Sequence, residues 1–251
     1  MFLTNDAGLK GFPDDTRAFN ERKLMQRVRV PELMDEPNLA PDAHRRALAG
    51  LARINSLTRS ANLLWPTIRD WTNGKLTVLD IATGSGDIPL QLWKRAKRSQ
   101  LPLAVSGCDI STTAIETARA KASAAGADID YFIHDVLRDP LPTDYDVVTC
   151  SLFLHHLDPP DVVEILRKMM TAAKTMVIVT DLVRSRTSYS LVWIASRLLS
   201  RSPIVRFDGP VSVRAAYTIR ELQQMAEDAG MTGAIVENRF PCRMRLRWSK
   251  S

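Results

Sequence analysis

A chain of 251 residues with 45% hydrophobic and 25% charged residues has ordinary globular composition, which excludes wholesale disorder, and its 14 prolines and 11 glycines are too few for a collagen-like or low-complexity chain. The formal net charge is +6, yet Arg239, Arg243, Arg245, Arg247 and Lys250 lie in an acid-free tail and the rest of the chain is nearly neutral. The surplus therefore argues only weakly for a nucleic-acid partner. Cys108, Cys150 and Cys242 are widely spaced, outside any CxxC or Cys/His cluster. That speaks against a disulfide framework or a zinc site and for a reducing compartment. The first residues lack a basic segment followed by an apolar one, and no apolar run approaches the ~18 residues that span a bilayer. The expectation is a soluble cytoplasmic protein.

Residues 1–40 hold no sustained period and are punctuated by Pro13, Pro31 and Pro37. Pro41-Asp42 opens a helical stretch with Leu48, Leu51 and Ile54 three apart. A second follows Ser60, with Trp65, Ile68 and Trp71 on one face and Pro66 at its start, where proline is tolerated. These are expected to form an N-terminal extension and helical cap over residues 1–72, ahead of a main domain over 73–251. From residue 76 short apolar runs alternate with helical patterns: strands at 76–82, 103–109, 129–134, 145–150 and 174–180, and helices at 87–97 and 111–125. Val162, Ile165, Leu166, Met169 and Met170 then fall on one helical face. Helices are expected at 188–200 and 218–229, and two last strands at about 233–239 and 242–248. In the last, Arg243, Arg245 and Arg247 alternate with Met244, Leu246 and Trp248, the mark of a strand with one wet and one dry face. Near-continuously apolar strands alternating with helices predict an α/β fold, an open doubly wound sheet that is mostly parallel.

In such a sheet, ligands bind beyond the carboxyl ends of the strands, where the strand order reverses. The first strand ends in Asp80-Ile-Ala82-Thr83-Gly84-Ser-Gly86-Asp87, whose glycines let backbone approach a ligand closely ahead of a helix N-terminus. The dinucleotide pattern GxGxxG fails because Pro89 takes the last glycine's place. Asp80 would repel a pyrophosphate but suits a ligand carrying positive charge; it also suits a brace for the loop. The second strand ends in Asp109-Ile110-Ser111, where the carboxylate either accepts both hydroxyls of a ribose, with Ile110 against the adenine, or caps the next helix. The third ends in His134-Asp135-Val136, placing an acceptor for an adenine amino group.

Three acids at three successive strand ends, with a glycine turn after the first, resemble the class I S-adenosylmethionine-dependent methyltransferases, strongly over residues 76–182. Asp80 to Gly86 is similar to that family's D/E-x-G-x-G-x-G motif, with Ala82 in place of the first glycine. The resemblance implies seven strands in the order 3-2-1-4-5-7-6, strand 7 antiparallel, and S-adenosyl-L-methionine as cofactor. It implies cofactor contacts from Asp80, Ala82, Thr83, Gly84, Gly86, Asp87, Asp109, Ile110, Asp135, Val136 and Ser151. Pro31–Asp35, Gly50–Asn55 and Arg206–Tyr217 further resemble a bacterial small-molecule group related to quinone methyltransferases and associated with type III polyketide synthases.

The resemblance places Cys150-Ser-Leu-Phe-Leu-His155-His156-Leu-Asp158 beside the cofactor's methionine end and the acceptor. His155 and His156 are thus candidate catalytic residues that orient or deprotonate an acceptor, or else one of them braces the loop. His155 is the first candidate base and Tyr217 the second; His155, Asp181, Arg214 and Tyr217 are the expected substrate contacts. Asp158-Pro159-Pro160 is superficially similar to the motif of nucleic-acid amino methyltransferases, but it lies beyond the strand end and lacks the aromatic. Tyr189, Leu191, Trp193, Ile194 and Leu198 in an insertion at 183–217 line an acceptor pocket or, as the favoured reading, belong to the core. That insertion and the cap are expected to form a lid. No metal site is apparent.

The resulting expectation is methyl transfer to a small phenolic or quinone-like aromatic acceptor, on oxygen or carbon, in secondary metabolism. No nucleic-acid partner is expected, and membrane contact is at most transient, for a lipidic substrate. An RNA or DNA methyltransferase, a non-catalytic cofactor-binding module, and, more weakly, a nicotinamide-dependent reductase are the rival readings.

Overall fold

The computed structural model describes residues 26–33, 60–71, 74–200 and 202–250. The helical stretch expected around Leu48 to Ile54 lies outside them, as do most of the expected cap and the Gly50–Asn55 similarity. The described elements run α1 (Ser60–Arg69), β1 (Leu76–Ile81), α2 (Asp87–Arg98), β2 (Leu103–Asp109), α3 (Thr112–Ala124), β3 (Asp130–Ile133) and β4 (Tyr145–Ser151). A 3-10 turn (Leu154–His156), α4 (Pro159–Ala172), β5 (Ala173–Leu182), α5 (Arg186–Leu199), α6 (Pro203–Ala215), α7 (Ile219–Asp228), β6 (Ile235–Arg239) and β7 (Arg243–Ser249) follow.

The seven strands form one sheet in the order β3-β2-β1-β4-β5-β7-β6. β7 runs antiparallel to both neighbours, while the other pairings are parallel. This is the order and orientation expected from the sequence. Successive side chains of β1 enter opposite faces, as the pleat requires. Leu79 and Ile81 join Val162, Ile165, Leu166 and Met169 of α4 on one side. Leu76 and Val78 meet Leu64 and Ile68 of α1 and Leu92 of α2 on the other. Because β1 pairs with β2 on one edge and β4 on the other, the chain direction of winding reverses there, and a crevice opens above their carboxyl ends.

Four details depart from expectation. Pro66 lies inside α1 rather than at its start; its ring forgoes one amide bond near the end of a ten-residue helix. No element is expected between 200 and 218, yet Phe207, Asp208, Gly209 and Pro210 form the middle of α6. There Gly209 permits close packing on α5, since a Cβ would stand 3.1 Å from Val192 Cγ1. The stripe on α5 is not core: Trp193, Ile194 and Leu198 are exposed, the last at 79%. Finally, the arginine face of β7 is largely dry. Arg243 and Arg245 are buried and only Arg247 reaches solvent. β7 lies between β5 and β6, and α1 covers this face; Arg245 donates from Nη1 to the carbonyl of Leu63 (2.8 Å) and from Nε to Glu237 (2.9 Å). Among the described residues, no helix is long and apolar enough to cross a membrane.

Replacing Arg245 with Ala removes its bond to the Leu63 carbonyl and leaves Glu237 with Arg239, so it should cost about 1–3 kcal/mol of stability. Arg247→Ala should stay within about 0.5 kcal/mol. Urea denaturation midpoints of the two variants test the difference.

Candidate functional site

The crevice is built on the loop joining β1 to α2. Gly84 (φ 55°) and Gly86 (φ 74°) take left-handed conformations open to glycine. Ala82 does so as well (φ 49°), which costs an alanine about 1–2 kcal/mol and explains why a glycine suits this position better. At Gly86 space is as restrictive as torsion: a Cβ would fall 2.5 Å from the Tyr131 hydroxyl. That hydroxyl donates to the Gly86 carbonyl (3.0 Å), pinning the loop to β3. Gly107 of β2 leaves room for the same ring and for Thr83, whose amide donates to the carbonyl of Cys108 (2.9 Å).

Beneath the loop Asp80 is fully buried and accepts from the hydroxyls of Thr83 and Thr149, each at 2.7 Å. It braces the loop and does not line the crevice. Burial pushes its carboxyl up to about 6, against the pull of the two hydroxyls, and the charge of Asp109 adds to the rise. Asp109 itself faces the crevice. One oxygen accepts from the Gly84 amide (2.8 Å) and the other from the Ser111 amide (2.9 Å). Ser111, not Asp109, caps α3 by accepting from Ala114. At the next strand end Asp135 accepts from the amides of Leu137 (3.0 Å) and Arg138 (3.2 Å).

Above these groups is a cavity of about 440 Å³. Of the residues expected to bind a cofactor it gathers Ala82, Gly84, Asp109, Ile110, Asp135 and Val136, and it adds His156. Ile110 is 66% exposed, which places an apolar surface at the rim for a flat ring to cover. His134, Leu137, Leu152 and Phe153 also line it and were not singled out from the sequence. They flank residues that were, so the signal was adjacency at the same strand ends. Thr83, Gly86, Asp87 and Ser151 lie outside the lining. Thr83 and Gly86 shape the loop, Asp87 turns to Lys121 of α3 (2.8 Å), and the Ser151 hydroxyl sits 3.0 Å from that of Thr180.

The histidines divide. His155 is buried, with Nδ1 2.6 Å from Asp181 Oδ1 and its amide donating to Asp181 Oδ2 (3.1 Å). Burial alone would lower its pKa, but the charge and hydrogen bond of Asp181, joined by the charge of Glu32, raise it overall. Burial likewise works to raise Asp181, and the His155 pairing holds it low. His155 Nε2 looks toward Glu32, 3.8 Å away, while the His156 ring, 4.2 Å from that of His155, borders the cavity. Tyr217 is unsuited to act as a base: it is buried, its hydroxyl donates to the Leu157 carbonyl (2.7 Å), and burial pushes its pKa to about 12. Neither Asp181 nor Arg214 lines the cavity; the Arg214 carbonyl accepts from the Val28 amide (3.1 Å).

Two residues of the aperiodic N-terminal segment were missed. Arg27 lies over the Tyr217 ring (4.1 Å) and donates to the carbonyls of Ala215 (2.6 Å), His155 (3.1 Å) and Leu157 (2.6 Å). Glu32 faces His155 and accepts from the Ser212 hydroxyl. Arg27 sits in no motif or periodic stretch, while Glu32 falls within the Pro31–Asp35 similarity, which gave it no role of its own.

A raised carboxylate pKa means that the folded state holds its proton longer than the unfolded one. The stability it contributes is full below the unfolded value of 3.8 and is lost as pH rises through about 6. Asp80→Asn should therefore flatten the fall in stability between about pH 4 and 6. It should also raise stability at pH 7 by about 1–3 kcal/mol. Thermal melts across that range are the measurement.

Residues 78–175 match the family model described as "Methyltransferase domain". A 75-residue stretch is 37% identical to a demethylmenaquinone methyltransferase of Deinococcus radiodurans, covering 30% of each chain. The figure is 36% for the Thermus thermophilus protein of the same name, covering 30% of this chain and 32% of that protein. The match thus spans less than a third of these relatives' length. Among solved structures the fold is similar to the S-adenosylmethionine-dependent methyltransferase SibL (TM-score 0.65, 18% identity, 91% of this chain and 64% of that one). It is also similar to the plantazolicin methyltransferase BpumL (TM-score 0.63, 16% identity, 84% and 92%). A third is the magnesium protoporphyrin IX methyltransferase of Synechocystis PCC 6803 with bound SAH (TM-score 0.55, 17% identity, 87% and 91%). Residues 78–175 are thus similar to a methyltransferase domain, and the chain has the seven-stranded fold of these solved structures.

Proposed function

We propose that this protein is an S-adenosylmethionine-dependent methyltransferase acting on a small phenolic or quinone-like acceptor, on oxygen or carbon, in secondary metabolism. The observation that carries the reading is Asp109. Its carboxylate is fixed by two backbone amides yet borders the cavity beside Ile110, Gly84 and Asp135. The residues fit a cationic nucleoside on this structure's own terms. Gly84 has nothing within 4 Å of where a Cβ would stand, so the loop backbone is open to a ligand. A buried carboxylate that accepts from two neutral hydroxyls lies directly beneath that loop.

When bound, S-adenosylmethionine supplies a methyl carbon activated by its sulfonium charge. Asp109 is placed to accept the ribose hydroxyls, as charge-assisted hydrogen bonds. Ile110 and Val136 offer apolar faces to the adenine, and Asp135 an acceptor to its amino group. Asp80 acts through its field: a cation above the loop favours its ionised form, so binding offsets the cost of that buried charge. The chain's chief catalytic task is to hold nucleophile and methyl in line with water excluded, catalysis by orientation. The acceptor meets the protein at the His156 end of the crevice, with His155 held behind it by Asp181.

The local similarity to demethylmenaquinone methyltransferases supports a quinone-like acceptor, and the likeness in fold to the plantazolicin and magnesium protoporphyrin IX methyltransferases is in keeping with a small molecule. A nucleic-acid substrate is less well supported, because two of the tail arginines are inside the sheet and add no basic surface.

Asp109→Ala should weaken S-adenosylmethionine binding by about 10- to 100-fold, from the loss of charge-assisted bonds. Isothermal titration measures this, and unchanged affinity would overturn the site. With labelled cofactor, a panel of alkylresorcinols, hydroxyquinones and hydroxybenzoates should reveal an acceptor. His156→Ala should then cut turnover while sparing cofactor affinity.

A further inference from the structure

The N-terminal segment brings Glu32 to the two histidines, and the three offer one ligand atom each, all within 4.8 Å of one another. His155 Nε2 and Glu32 Oε1 are 3.8 Å apart. Ligand atoms bound at ~2.0–2.1 Å around a tetrahedral ion lie about 3.3 Å apart, so a small closure suffices. The supporting shell is in place as well. Asp181 holds His155 Nδ1 at 2.6 Å, which directs Nε2 toward Glu32, and the Ser212 hydroxyl donates to Glu32 Oε1. A carboxylate behind a ligating imidazole is the arrangement that orients metal-binding histidines.

We propose that Glu32, His155 and His156 hold a divalent ion of the zinc class at the acceptor end of the crevice. Two imidazoles and one carboxylate suit zinc, cobalt or nickel and do not suit magnesium, which prefers oxygen ligands throughout. Three protein ligands leave a position for an oxygen from outside the protein, the pattern of sites that act on a substrate. His156 borders the cavity, so that ligand is the oxygen of the phenolic or quinone-like acceptor. The histidines then serve as ligands instead of proton acceptors. This last assignment rests on the methyltransferase reading; the ion site does not.

The test is zinc alone against the full chain after chelation, by equilibrium dialysis and by the zinc-induced rise in melting temperature. One ion per chain should bind, and Glu32→Gln should weaken it at least about tenfold. Asp181→Asn should weaken it about 10- to 100-fold through His155. Glu164→Gln, which alters an exposed carboxylate of α4 outside the cluster and the cavity, should leave it unchanged. Cobalt in place of zinc should give the intense visible bands of a four-coordinate site, lost in Glu32→Gln. Retained S-adenosylmethionine affinity in the variants would show that they are folded. Zinc binding that is absent, or equal in wild type and Glu32→Gln, overturns the proposal. Zinc bound without methyl transfer to any acceptor would sink the proposed activity alone; methyl transfer by a chain that binds no zinc would sink the ion site alone.

Discussion

The crevice depends on one close approach, that of the β1–α2 loop to the neighbouring strands, with the Tyr131 ring packed against Gly86. Gly86 and Gly107 leave the room that the Tyr131 ring fills, and the ring's hydroxyl ties the loop back to β3. Only with the loop in that place can the Gly84 amide reach Asp109 at the end of β2. A Cβ at Gly86 would displace Tyr131 or the loop, and the carboxylate would lose the partner that fixes its direction.

Around this frame the protein keeps several charges away from water, and each has a named compensation. Asp181 is paired with His155, Arg245 with Glu237 and Arg184 with Glu221. Asp80 differs from these pairs, since its hydrogen bonds among the described residues come from two neutral hydroxyls and its neighbour Asp109 is also acidic. A buried carboxylate held in this way keeps a raised pKa because burial disfavours its charged form. The His155–Asp181 pair is likewise held behind the cavity lining, beside His156, which borders it.

Sequence and structure agree best where each residue's environment is set by its near neighbours. The glycine turn, the three strand-end acids and the amphipathic pattern of α4 are local, and all stand where they were read. Disagreement collects where distant segments meet. Alternation on β7 distinguishes two faces of a strand but carries no information about whether a helix will cover the second, and α1 does so. Tyr217 has the chemistry of a base in isolation and loses it to the carbonyl of Leu157. No helix is expected where α6 forms, because its middle holds adjacent glycine and proline and its close packing on α5 is invisible along the chain.

From its residues alone, then, the chain determines a doubly wound sheet, the order in which acids appear at its strand ends, and a loop able to lie flat beside them. These follow from period, turn chemistry and β-propensity, which act over a few residues. Which groups share the crevice, and which only support it, was decided by tertiary structure. Asp109, Asp135 and His156 face the cavity, while Asp80, Asp87 and Asp181 are taken up by Thr83 and Thr149, Lys121 and His155. Glu32 joins His155 only because residues 26–33 pack against α6 and the 3-10 turn. The physical reason is that a side chain's role is set by the partner that reaches it first, and that partner is usually remote in the chain.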